Sequence, residues 1–128
     1  MIIIGHDLIE FKPLYQIKNS DDISKLPPNS TVVFEFGGNE KLIKYCHENN
    51  INFAVKTDSI KEALLSNAAG ASYIISSFEA AAIQELAQNY LFDAKILLKI
   101  DCEDEMEEAA KNNIDGVLLP RGIINGSF

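Results

Sequence analysis

Four polar residues recur near the ends of successive apolar runs: Glu35, Lys56, Ser76 and Lys99, spaced 21, 20 and 23 residues apart. A carboxylate set between two ammonium groups can hold an anionic ligand. It can equally lower a lysine pKa far enough for Schiff-base formation or proton transfer. The plainer role is structural, with Glu35 paired to Lys56 and both lysines reaching water from the rim of a sheet. That role is the default, because structural ion pairs carry the same signature as functional ones.

Other chemistry-bearing residues are weaker candidates. Lys56-Thr57-Asp58 and Lys99-Ile100-Asp101 each close an apolar run and open a helical one, and Asp at such a junction is an ordinary helix cap. Residues 101–108 hold six carboxylates. Acids early in a helix complement its positive end, and no second acidic cluster is present to complete a coordination shell. Cys102 is expected to be a small, at least half-buried residue in that segment. Cys46 and Cys102 form no metal-spaced pair, and His6 and His47 are far apart in the chain, so no metal site is expected. His6 lacks a nearby Ser or Cys placed for a triad. Gly37-Gly38 follows a strand and precedes a helix, but two glycines without the dinucleotide-binding spacing suit a tight turn equally well. No cofactor is expected.

The elements that would position these residues are legible from residue 31 onward. Short β-branched and aromatic runs, "TVVFEF", "NFAVKT", "SYIIS", "KILLKI" and "GVLLP", alternate with helical segments carrying one apolar face, as in Ile60, Ala63 and Leu64. The runs are continuously apolar, which predicts strands covered on both sides in a parallel sheet joined by right-handed crossovers. Ser59-x-x-Glu62 and Ser76-x-x-Glu79 have capping-box spacing, while Gly70 and Asn113 stand where helices should stop. Before residue 31 the pattern predicts a hairpin around Gly5 to Asp7, a strand at "PLYQI" and a short helix over "DDISKL", ended by Pro27-Pro28.

At 128 residues and 47% hydrophobic composition, the chain reads as a single α/β domain, residues 1–128. The repeat period is one βα unit. A complete eight-unit barrel takes about 200 residues or more, so the expected layout is a partial TIM barrel or a flavodoxin-like open sheet. Either leaves sheet edges to cover, and a homodimer is the expected cover. The formal charge of −8 disfavours nucleic acid, and no run approaches a membrane span. Neither partner is expected, and the default address is cytoplasmic.

"AVKTDSIKEALLSNAAGASYIISS" and "KILLKIDCEDEMEEAAKNNIDGVLLPRG", together about residues 53–122, resemble the middle units of phosphate-binding TIM barrels, most nearly the keto-deoxy-phosphogluconate aldolases. The resemblance rests on an Ala-Gly-Ala turn before a strand ending in Ser and on a later strand ending in Pro. It implies a βα-unit fold of barrel ancestry. The family's Schiff-base lysine stands three residues before that proline, a position held here by Val117. The Pro-Gly that follows the family's serine is replaced by Ser77-Phe78.

The functional expectation is a small-ligand-binding or regulatory module without catalysis, taking a small anionic metabolite at Glu35, Lys56, Ser76 and Lys99. The alternative is a lyase of the aldolase kind acting on a small phosphorylated or keto-acid metabolite, with Lys56 or Lys99 as the amine and Glu35 as proton shuttle. A protein-interaction module using the sheet edges is the second alternative.

Overall fold

A computed structural model describes residues 1–125. Its eight strands form one sheet: β1 (Ile2–Ile4), β2 (Leu14–Gln16), β3 (Thr31–Glu35), β4 (Phe53–Lys56), β5 (Tyr73–Ser76), β6 (Lys95–Lys99), β7 (Gly116–Leu118) and β8 (Ile123–Ile124). The spatial order is β1-β7-β6-β5-β4-β3-β2-β8, and every pairing is parallel. Helices α1 (Glu40–Glu48), α2 (Ile60–Ala68), α3 (Ala80–Asn89) and α4 (Met106–Lys111) occupy the crossovers from β3 to β7. The five runs read from the sequence are all strands, and their parallel arrangement is the predicted one.

Two apolar clusters divide the sheet into an outer and an inner face. Val32, Phe34, Phe53, Val55, Ile74, Ile96 and Val117 face outward and pack with Ile43, Cys46, Ala63, Ile83 and Ala109 of the four helices. Phe34 and Phe53 stack there with ring centroids 6.1 Å apart. The alternate residues Leu14, Val33, Ala54, Ile75, Leu97, Leu118 and Ile4 form a second cluster, one residue from each of β1 to β7. No helix contributes to it. Strands laid side by side in chain order with right-handed crossovers send every helix to one side. The inner face is then dry only if the sheet curls over itself, as in a barrel. The result is a curled partial barrel with its helices on the outside.

The curl brings the two edges together. Gly5, at φ +106°, follows β1, and a Cβ added there would lie 2.6 Å from the backbone nitrogen of Gly122, just before β8. Only glycine fits that approach and that backbone angle. The expected hairpin around Gly5 to Asp7 is absent: β1 pairs with β7, and β2 pairs with β3 and β8. A parallel ladder 112 residues or more away in the chain outcompetes the local turn, because both faces of β1 can then be buried. "PLYQI" does contain a strand, and a 3-10 helix over Ser20–Lys25 stands where the short helix was expected.

The punctuation is largely as read. Ser59 caps α2, its hydroxyl accepting from the Glu62 N–H at 3.2 Å, while the Glu62 carboxylate accepts from the Asp58 N–H. Asp58 is therefore outside the cap position. The Ser76 hydroxyl accepts from the Glu79 N–H at 3.1 Å, but α3 starts only after Glu79. Gly70 and Asn113 follow their helices with φ of +94° and +57°. At the lower strand ends, side-chain amides and a carboxylate satisfy free backbone donors: Asn67 accepts from Ala94, Gln84 from Asp115, and Asp115 from Ile96. Among the described residues, no helix is long and apolar enough to cross a membrane.

Two measurements test this packing. Gly5→Ala should lower unfolding free energy in urea by about 2–4 kcal/mol. Gly37→Ala, at a site with open space around it, should stay within about 0.5 kcal/mol of the parent. Burial pushes the Cys46 thiol up to about 11, so a thiol reagent at pH 8 should label only exposed Cys102 in the folded chain and both cysteines after denaturation. Because the folded thiol ionises above its ordinary value of 9.0, its contribution to stability is complete below pH 9. It is lost as pH rises toward 11.

Candidate functional site

The upper rim of the barrel, at the carboxyl ends of the strands, is where the inner cluster stops and charge begins. Strand register defines the boundary. The inner layer runs level from Val33 to Ala54, from Ile75 to Leu97 and from Leu118 to Ile4, and climbs two residues at each intervening step. That stagger is the tilt a curled parallel sheet requires. Two residues further on, period two places Gln16, Glu35, Lys56, Ser77, Lys99 and His6 in the next layer on the same face, while after β7 the same count falls on Pro120 in a 3-10 turn. A ring of polar groups thus sits directly above a dry hydrophobic layer.

Three of the four residues singled out by spacing share that ring. Glu35 and Lys56 are register partners on adjacent strands, with Lys56 Nζ 3.7 Å from Glu35 Oε1. The Lys56 side chain is 20% exposed and that of Glu35 62%, so the ammonium is sheltered and the carboxylate faces water. Lys99 lies on β6, two strands from Lys56, and makes no ion pair among the described residues. Ser76 falls on the other face: it is buried, and its hydroxyl is bonded to the Glu79 N–H. Ser77 takes the inward position. Lys56, Ser76 and Ser77 nevertheless line one small cavity of about 70 Å³, together with Thr57, Asp58 and Phe78. That volume suits only a few water molecules. A larger open hollow of about 450 Å³ lies beside the ring, lined by Gln16, Lys18, Asp22 and Asn125.

Gln16, Ser77 and His6 are the ring members that the spacing does not single out. Counting in twos from Leu14 would have found Gln16, since both lie in the run "PLYQI". His6 follows β1 and is clasped from two sides. Its Nδ1 accepts the Leu8 N–H at 3.1 Å, which leaves the hydrogen on Nε2 to donate to Glu103 Oε2 at 2.6 Å. With both nitrogens engaged, His6 holds the β1–β2 loop to the β6–α4 loop and is not presented as a base. Arg121 pairs with Asp7 across the same seam. No sequence signal marks the His6–Glu103 bond, which spans 97 positions.

The remaining candidates find structural roles. Glu105 accepts from the N–H groups of Asp101 and Cys102 at 2.8 and 3.2 Å, and those bonds hold its carboxyl below the usual carboxylate range. The acidic run is therefore a helix entry. Cys102, expected to be at least half-buried, is exposed there, because its segment begins with a 3-10 turn on the rim. Gly38, at φ +76°, makes the turn into α1 and lines a groove of about 360 Å³ with Lys18, Asn39, Lys41 and Tyr45. Val117, the position matching the aldolases' Schiff-base lysine, is fully buried and faces the helices. Its inward neighbour is Leu118. Neither residue offers an amine to the rim.

No protein-family model matches the chain, and no curated protein matches it in sequence. Among solved structures, it is similar to a 4-hydroxy-2-oxoglutarate aldolase/2-deydro-3-deoxyphosphogluconate aldolase from TTHB1. The TM-score is 0.59 at 19% identity, over 80% of this chain and 55% of that one. The matched region thus spans little more than half the aldolase's length. At this identity the likeness concerns the backbone alone: the chain has an aldolase-like, curled α/β fold.

Proposed function

We propose that the protein is a non-catalytic ligand-binding or regulatory module that takes a small anionic metabolite at the upper rim of its partial barrel. The observation that carries this reading is the ring above the dry inner layer, where Lys99 has no ion-pair partner among the described residues and Lys56 stands two strands away. An ammonium on a rim above an apolar layer attracts an anion more strongly than one surrounded by bulk water. The likeness to an aldolase fold supports the location, because ligands in parallel α/β folds bind beyond the carboxyl ends of the strands. The fold itself carries no activity.

A second reading is a lyase of the aldolase kind. One observation favours it: the 3.7 Å approach of Glu35 to Lys56 puts a carboxylate beside an amine, the arrangement a Schiff-base step with proton transfer would use. Against it stands Val117, buried where the aldolases carry their lysine.

Thermal shift with a panel of small phosphates and carboxylates tests the binding reading. A ligand at a hundred times its Kd should stabilise the fold by about 2.7 kcal/mol, and Lys99→Gln should weaken its binding about tenfold or more. No shift with any member of the panel would defeat the proposal. Borohydride with a panel of keto acids tests catalysis. No adduct is expected, and covalent labelling of Lys56 or Lys99 would replace the non-catalytic reading with the lyase.

A further inference from the structure

The crossover from β1 to β2 has no helix. Its second half, Leu8 to Pro13, is irregular backbone: a turn and bend at Leu8 and Ile9, whose N–H groups go to His6, then residues outside any helix or strand. Neither the backbone nor the side chains of Glu10, Phe11 and Lys12 make a hydrogen bond among the described residues. Burial alternates along it: Glu10 and Lys12 are exposed, while Phe11 and Pro13 are partly covered, Phe11 packing against the inner cluster. The same stretch starts with two of the exposed apolar side chains, Leu8 at 86% and Ile9 at 42% exposure. Three residues of unpaired backbone beside uncovered apolar groups leave N–H and C=O groups that a further strand can take up.

The charges specify which strand. Glu10 and Lys12 stand symmetrically about Phe11, so the segment is complementary to itself when reversed. We infer that Glu10 to Lys12 is a self-pairing segment that joins two copies of this chain antiparallel about Phe11. In that pairing Glu10 of each copy lies opposite Lys12 of the other. Each such pair exchanges two backbone hydrogen bonds, using the free N–H and C=O groups of both residues. Opposite charges then face each other twice across the two-fold axis. Pro13, which has no N–H to donate, falls opposite Ile9 at the end of the ladder and shields it. The inference is independent of what the rim binds.

Sedimentation velocity on the full chain, from micromolar to submillimolar concentration, provides the test. The parent should dimerise. Glu10→Lys and Lys12→Glu should each weaken association about tenfold or more, and the Glu10→Lys/Lys12→Glu double variant should restore it. Both substitutions lie at exposed positions that make no hydrogen bond or ion pair among the described residues, so the three variants should fold as the parent does. In the dimer, the Glu10 and Lys12 amides should be protected from hydrogen exchange, and in Glu10→Lys they should not be. A parent that remains monomeric throughout would overturn the inference. So would a dimer indifferent to Glu10→Lys, or a charge swap that fails to rescue.

Discussion

Strands β3 to β7 lie side by side in chain order and run parallel, so each right-handed crossover deposits its helix on the same side of the sheet. The opposite face carries Val33, Ala54, Ile75, Leu97 and Leu118 and receives no helix. Left flat, it would expose a continuous apolar stripe to water. Curling the sheet buries that stripe against itself, and the rest of the architecture follows. β1 must reach β7, β8 must reach β2, and the edges must meet where Gly5 and Gly122 permit backbone contact. The crossovers before β3 and after β7 are shortened to loops and 3-10 turns, which is how 128 residues suffice for a curled eight-stranded sheet.

The same curl concentrates charge. A tilted layer of apolar residues, climbing by two positions at alternate strand pairs, is succeeded by one of polar residues at the carboxyl ends. Glu35, Lys56 and Lys99 meet on one rim because they stand in equivalent places above Val33, Ala54 and Leu97. Two lysines on one rim within a chain of net charge −8 are a local arrangement, produced by topology and not by composition. The acidic residues nearby are engaged: Glu35 faces Lys56, Glu103 holds His6, and Glu105 and Asp22 accept backbone N–H groups near helix starts. What the rim lacks is equally informative. The strand that would present an amine in the aldolase-like arrangement offers only Val117 to the helices and Leu118 to the interior.

Much of this is legible in the amino-acid sequence. The alternation of apolar runs and helical segments, the parallel sense of the strands, the caps at Ser59, Gly70 and Asn113 and the common side of Glu35, Lys56 and Lys99 all follow from signals within about ten residues of each position, where period and hydrogen-bonding propensity act. Ser76 shows the limit. Its spacing from Lys56 suggested equivalence, but one residue in a strand reverses the face, and the rim position belongs to Ser77.

The residues by themselves thus determined which segments extend, which coil and that the strands run parallel, because those choices are made locally against short-range sterics and burial patterns. Tertiary structure alone decided that β1 pairs with β7 instead of folding back as a hairpin, that His6 meets Glu103 across 97 positions, and that the sheet closes on two glycines. These outcomes depend on the summed tilt and stagger of all the strands. No window of sequence contains that sum, since each strand's partner is selected by the apolar face the whole sheet must bury.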